Sequence, residues 1–516
     1  MECQKSKSGQ ISEIQDQTTS TNIVSTVFLL FLYSRALVPH ARLPLTLGQS
    51  PDADARNNNM TFSAVPRNTP NPPLLQTKLL AFCVPLSGVA WSRFQTLLLL
   101  DAGYTPTAIG FFKSCSYLSK IIFAPFWGVV GDLYTPIVAL ALSYCLSGLS
   151  LELLRQCLLR QWSFTTMLLI KTFRSASNCI GAVTEAVLYD ATRHRTDGES
   201  FGRQRLLSSL AWGVGSLCAG YMIDALGLWS IFPYTYVMIS VALVLLYNLS
   251  LYGVKKTTRT VVSLTLPTTS TPSTKASDQR SALNTTTLAH VMHGLQQLFG
   301  HPELSRTAVQ IIVTGFLMTL VDQILPIQLD QEYHVPRWVN GMTTFLSIVS
   351  SLPVYYYSQH IIQQKGVYWM FQTGQITFAI RLVGMVVFSM SNPGAVGRGG
   401  QVVLLSCLQL LHGITFALVW TGATHQLQNM SSPKQQMTTS ASTLVSTLYF
   451  TIGQGVGNVW WLYLYQKYHN CAALYGLGFG MIAVNVWYTN RRGVGGHGNN
   501  GGNHGGETAH YKTGVV

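Results

Sequence analysis

Apolar runs long enough to cross a bilayer recur along this chain and leave it little else to fold into. A crossing helix needs about 20 predominantly apolar residues. Twelve candidate spans fit, at roughly 75–99, 106–131, 135–154, 163–188, 204–224, 229–252, 306–328, 339–361, 368–390, 401–424, 437–464 and 471–489. Composition agrees: 48% of the 516 residues are hydrophobic and only 10% are charged, whereas a soluble protein carries roughly 25% charged residues. The chain therefore reads as an all-α polytopic membrane protein, with twelve transmembrane helices in two six-helix halves and the lipid bilayer as its solvent. A net charge of +14 in such a chain points to basic cytosolic loops, not to nucleic acid.

The halves are residues 75–252 and 291–490. Between them, 253–290 is a Thr/Ser/Pro-rich stretch (KKTTRTVVSLTLPTTSTPSTKASDQR) that reads as a flexible cytosolic linker. Residues 1–74 read as a disordered polar tail. Its one apolar patch, NIVSTVFLLFLYSR, is too short to span. A targeting role is one reading of the tail, and an extension ahead of a translation start at Met60 is another. Residues 491–516 are Gly-rich and expected to be disordered; His497, His504 and His510 there read as solvent-facing rather than metal-binding.

Basic residues set the orientation. With both termini cytosolic, the inner loops carry Arg193, Arg195, Lys255, Lys256, Arg259, Lys365, Lys434, Arg491 and Arg492 among others. The outer loops carry only Arg155, Arg160, Arg337, Arg398 and Lys467.

Charges inside spans are costly and tend to face the bundle interior or a wet cavity. They are Arg93, Lys113, Lys120, Lys171, Arg174, Glu185, Asp322 and Arg381. Lys171 and Arg174 are three apart and share a helix face. Lys113 and Arg93 have a blander reading, snorkelling towards headgroups. Asp322, in FLMTLVDQILPIQL, is too short to snorkel, so it is the sharpest candidate for substrate binding or coupling, with Arg381 as a fixed ionic partner or a coupling residue. His412 has the one side chain that titrates near neutral pH unperturbed, and its bland alternative is a packing role. The glycines at 453, 455 and 457 stand in an apolar helix and read as close packing rather than a nucleotide loop. Six basic span residues against Glu185 and Asp322 predict an anionic or neutral hydroxylated solute. No phosphate loop, zinc signature, hydrolase elbow or catalytic carboxylate pair is present, so neither enzyme activity nor a cofactor or metal is expected.

The halves echo each other. Tyr117-Leu118-Ser119 followed by Pro125 recurs as Phe345-Leu346-Ser347 followed by Pro353, and Ala191-Thr192 recurs as Ala423-Thr424. Paired six-helix halves are a transporter architecture. Residues 124–136, APFWGVVGDLYTP, resemble the loop after the second span of the major facilitator superfamily. FGRQRLLSSLAWGVGSLCAGYMID (201–224) and LLHGITFALVW (410–420) resemble the lactose-permease-like branch, in particular its major facilitator superfamily associated domain members.

The resemblance implies a gating loop at Gly128, Asp132, Arg203 and Arg205. It also implies a cavity lined by the first, fourth, seventh and tenth spans, and functional roles for Asp322 and Arg381. Two departures stand out: Leu133-Tyr134-Thr135-Pro136 replaces the usual basic cluster, and Gln409 stands where relatives carry Glu. The expected function is secondary active transport of a small solute by alternating access, with H+ as the candidate coupling ion. The alternative is a receptor or membrane scaffold that keeps the transporter fold.

Overall fold

The computed structural model describes residues 74–133, 136–178, 180–181, 183–184, 201–251, 302–391, 397–430 and 445–493. Residues 1–73 and 494–516, the linker and Glu185 lie outside the described residues. In the first half the helices are α1 (Leu74–Asp101), α2 (Pro106–Leu133), α3 (Pro136–Leu159), α4 (Phe164–Ala176), α5 (Phe201–Leu226) and α6 (Ile231–Leu251). In the second, α7 is Pro302–Gln331, and a continuous helical stretch, Arg337–Met390, supplies two limbs. These meet at Gly366 (φ 82, ψ 164), a backbone conformation that glycine adopts at no steric cost. We name the limbs α8 (337–365) and α9 (367–390). Then come α10 (Gly397–Met430), a π-helical turn (Thr447–Gln454) running into α11 (Gly455–Tyr468), and α12 (Cys471–Gly493). No strand occurs among the described residues.

A described helix falls in each of the twelve candidate spans. Among the described residues, seven helical stretches are long and apolar enough to cross a membrane, with α8–α9 counted as one. Of the others, α4 and α11 are described over only 13 and 14 residues. Arg93 lowers the apolarity of α1, and Lys113 and Lys120 that of α2. The chain is an integral multi-pass membrane protein.

Without a hydrophobic drive between helices in lipid, packing depends on close backbone approach at small residues. A Cβ on Gly453 would lie 2.8 Å from the Ile312 carbonyl oxygen, and one on Gly457 3.0 Å from that of Phe316. Gly453 and Gly457 therefore form a seam with α7, locked by Trp461, whose Nε1 donates to Phe316 O at 2.8 Å, while Gly455 faces Tyr117 of α2. Gly413 of α10 is tighter still, since its Cβ would fall on the Ser347 carbonyl of α8. Backbone cannot step aside as a side chain can. Gly413→Ala should destabilise the second half by about 1–3 kcal/mol, the usual cost of overpacking, seen as a lower thermal midpoint in detergent; an unchanged midpoint would refute this.

The described contacts between halves cluster at one end, where α1 turns into α2 and α7 into α8; we call it the distal end. From that end inward, the Thr107 amide donates to Gln466 Oε1 at 3.0 Å, Ser114 Oγ to Gly455 O at 2.5 Å and Tyr117 Oη to Gln454 Oε1 at 3.0 Å. The matching seam between α5 and α8 includes Tyr221 stacked on Trp338, with ring centroids 5.4 Å apart.

Candidate functional site

Three polar groups occupy the middle of the bundle. The first is in α4, whose start is capped by Ser163 Oγ accepting from the Thr166 amide at 3.2 Å. One turn separates Lys171 from Arg174, and both side chains sit on Trp91 of α1. Lys171 Nζ is 5.5 Å from the indole and 4.9 Å from the Phe112 ring, and the Arg174 guanidinium is 5.6 Å from the indole. Cation–π contacts of this kind contribute about 0.5–2 kcal/mol each. Lys171 also donates to Gln95 Oε1 at 3.2 Å, and Arg174 to the Ser147 carbonyl at 2.6 Å. Both cations are buried. Among the described residues neither has a carboxylate partner, and the charged groups acting on Lys171 are Arg174, Lys120 and Lys113. This wall of the first half is positive.

The second group bridges the halves. Lys113 of α2 donates to Thr96 Oγ1 of α1 at 2.5 Å and to Gln323 Oε1 of α7. Thr96 itself donates to Gln323 at 3.4 Å. Lys113 is buried, so the snorkelling reading does not hold for it.

The third group belongs to the second half. Asp322 of α7 lies 3.8 Å from His412 Nε2 of α10, and Arg381 of α9 donates to His412 Nδ1 at 2.6 Å. A guanidinium only donates, so Nδ1 accepts, and the neutral imidazole carries its proton on Nε2, facing the carboxylate. The expected Asp322–Arg381 pair is thus relayed through His412; no direct ion pair joins them among the described residues. Arg381, 1% exposed, also donates to Gln409 Oε1 at 3.2 Å, and Gln409 accepts in turn from Ser347 Oγ through its backbone carbonyl at 3.1 Å. Local sequence opens this site further: Pro326 has no N–H, so the Asp322 carbonyl four residues earlier lacks its helical partner. Arg93, Arg381 and Lys113 all act electrostatically on Asp322. One carboxylate therefore faces cations from both halves.

The structure gathers Asp322, Arg381, His412 and Gln409 into one group and Lys171 with Arg174 into another. Gly128, Asp132, Arg203 and Arg205 fall within α2 and α5, but their side chains lie outside the described set, as does Glu185. Sequence reasoning missed Gln95, Thr96 and Ser147, which are uncharged. Their signal was weak, a Gln-Thr pair two residues after Arg93 and a serine-rich run in α3.

The chain matches the MFS_1 like family over residues 90–475. No curated protein matches it in sequence. Among solved structures it is similar to the nucleoside transporter NupG, with a TM-score of 0.62 at 12% identity, covering 81% of this chain and 98% of that one. It is also similar to a peptide transporter POT (TM-score 0.55, 13% identity, 82% and 95% covered). A third is a bacterial homologue of the iron transporter ferroportin in an inward-facing state (0.52, 14%, 80% and 98%). At these identities the structures speak for the fold alone, which is that of the major facilitators. With three quarters of its length matched and the fold in agreement, the chain belongs to the MFS_1 like family of the major facilitator superfamily.

Proposed function

We propose that this protein is a secondary active transporter that moves a small solute across its membrane by alternating access, coupled to protons at Asp322. The observation that carries the reading is the placement of that carboxylate. It stands mid-bundle 3.8 Å from His412, in the electrostatic field of Arg93 and Lys113 from one half and of Arg381 from the other. Ionised, Asp322 attracts cations on both sides and draws the halves together. Protonated, it releases them, and the halves are freer to rock about the site. A proton taken at Asp322 is thereby tied to the conformation of the whole bundle.

With both termini cytosolic, the distal end is extracytosolic. Lys171 and Arg174 favour an anionic solute, and the hydrogen-bonding side chains of Gln95, Gln409 and Ser347 suit hydroxyl groups as well. NupG and POT, named for nucleosides and peptides, are in keeping with a small polar cargo. No enzyme activity or cofactor enters this reading.

The test is uptake by the purified full-length chain in proteoliposomes, screened over labelled organic acids, nucleosides and sugars. At least one solute should accumulate under an inward proton gradient, and a protonophore should collapse the accumulation. Folded protein that moves none of them, or moves one with no response to the gradient, would overturn the proposal.

A further inference from the structure

The distal seam between α5 and α8 contains a helix cap lent by one half to the other. Helix α8 starts at Arg337 behind Pro336, which makes no side-chain cap. The first amides of a helix lack intrahelical partners and need an acceptor. Here Asp224 of α5 supplies both: Oδ1 accepts from the Arg337 amide and Oδ2 from the Trp338 amide, each at 2.8 Å. The Arg337 side chain is engaged elsewhere, its Nε donating to Asp330 Oδ1 at 3.0 Å. Asp224 therefore holds backbone and helix dipole, not a side-chain charge.

The surroundings fit a designed contact. One turn before Asp224, Tyr221 lies parallel to Trp338 within 1°. A Cβ on Gly220 would come 2.7 Å from the Trp338 Cα, and one on Gly341 would fall on the Ser216 carbonyl. Small residues on both helices let the carboxylate reach the amides. Opening the distal end by rocking the halves apart must strip α8 of its cap.

We propose that Asp224 is a latch residue: by capping α8 across the interface between halves, it sets how strongly the protein prefers the conformation closed at the distal end. The latch is independent of cargo and of proton coupling, so it stands or falls apart from the transport reading.

The test uses a reporter far from the latch. Asn458 of α11 is 1% exposed, in the α2–α11 seam where a Cβ on Gly110 would lie 2.6 Å from its carbonyl. In a full-length background with native cysteines replaced, Asn458→Cys is labelled in detergent with a bulky hydrophilic maleimide. Loosening of α8 alone would leave this site covered, whereas separation of the halves exposes it. Asp224→Ala should raise the labelling rate about fivefold, the factor expected for losing a cap of ordinary strength. Asp224→Asn, which keeps one acceptor oxygen, should fall between, and it carries the test if the alanine variant does not fold. Asp330→Asn, which frees the Arg337 side chain but leaves the cap, should label like the parent. Folded Asp224 variants that label at the parent's rate would overturn the latch, as would an equal rise in Asp330→Asn.

Discussion

Asp322→Asn should abolish gradient-driven accumulation, bringing the solute to the same concentration on both sides, while solute exchange across the membrane survives. Asparagine keeps the shape of the side chain and one acceptor oxygen but cannot ionise. The cations whose fields act on Asp322 from both halves then see the same neutral group throughout the cycle, and no proton is tied to the movement. The variant should still fold. Asp322 is 23% exposed and stands 3.8 Å from His412, beyond hydrogen-bond reach, so its charge is partly hydrated and its loss leaves no donor stranded. Arg381 is the contrast: it is 1% exposed and hydrogen-bonded to His412 and Gln409. Removing it strips the buried Gln409 and the half-buried His412 of their donor, at about 1–3 kcal/mol for a buried group left unsatisfied. Accumulation and counterflow measured side by side in proteoliposomes separate these outcomes. An Asp322→Asn protein that concentrates solute like the parent would make Asp322 a structural residue.

Why the sequence foretold one part of this site and not another follows from what periodicity contains. Apolar length located a helix at every candidate span, because the requirement to bury backbone polar groups in lipid leaves few alternatives. The cost of charge in the same medium picked out Asp322, Arg381, Lys171 and Arg174 directly. Helical spacing also says which residues share a face, and Lys171 and Arg174 do share Trp91. It does not say which helix that face meets. His412 between Asp322 and Arg381 depends on three helices converging, and no one-dimensional pattern records it. Lys113 was open to a snorkelling reading because its partners, Thr96 and Gln323, lie in helices of different halves. Asp224 went unremarked for a related reason. An acid near a span end looks like ordinary surface until α8 arrives with uncapped amides.

Lys171→Ala and Arg174→Ala should each raise the apparent KM for an anionic substrate about tenfold, the factor carried by roughly 1.4 kcal/mol, and should leave a neutral analogue nearly unaffected. The argument starts from burial. Two cations one turn apart lie over one indole, both buried, and among the described residues neither pairs with a carboxylate. Cation–π contacts and the acceptors Gln95 Oε1 and Ser147 O hydrate these charges only in part, and an uncompensated buried charge is expensive. An anionic group on the solute would relieve that cost on binding, whereas a neutral solute would not. The field should also concentrate anions at the cavity and turn away cations. Charge-conserving exchange, Lys171→Arg and Arg174→Lys, separates this role from simple packing. Preserved charge should restore most of the lost affinity for the anion even where the detailed contacts change. If alanine weakens the anion and the neutral analogue alike and the exchanged cations do not rescue, the pair holds α1, α3 and α4 together, and the case for an anionic cargo falls.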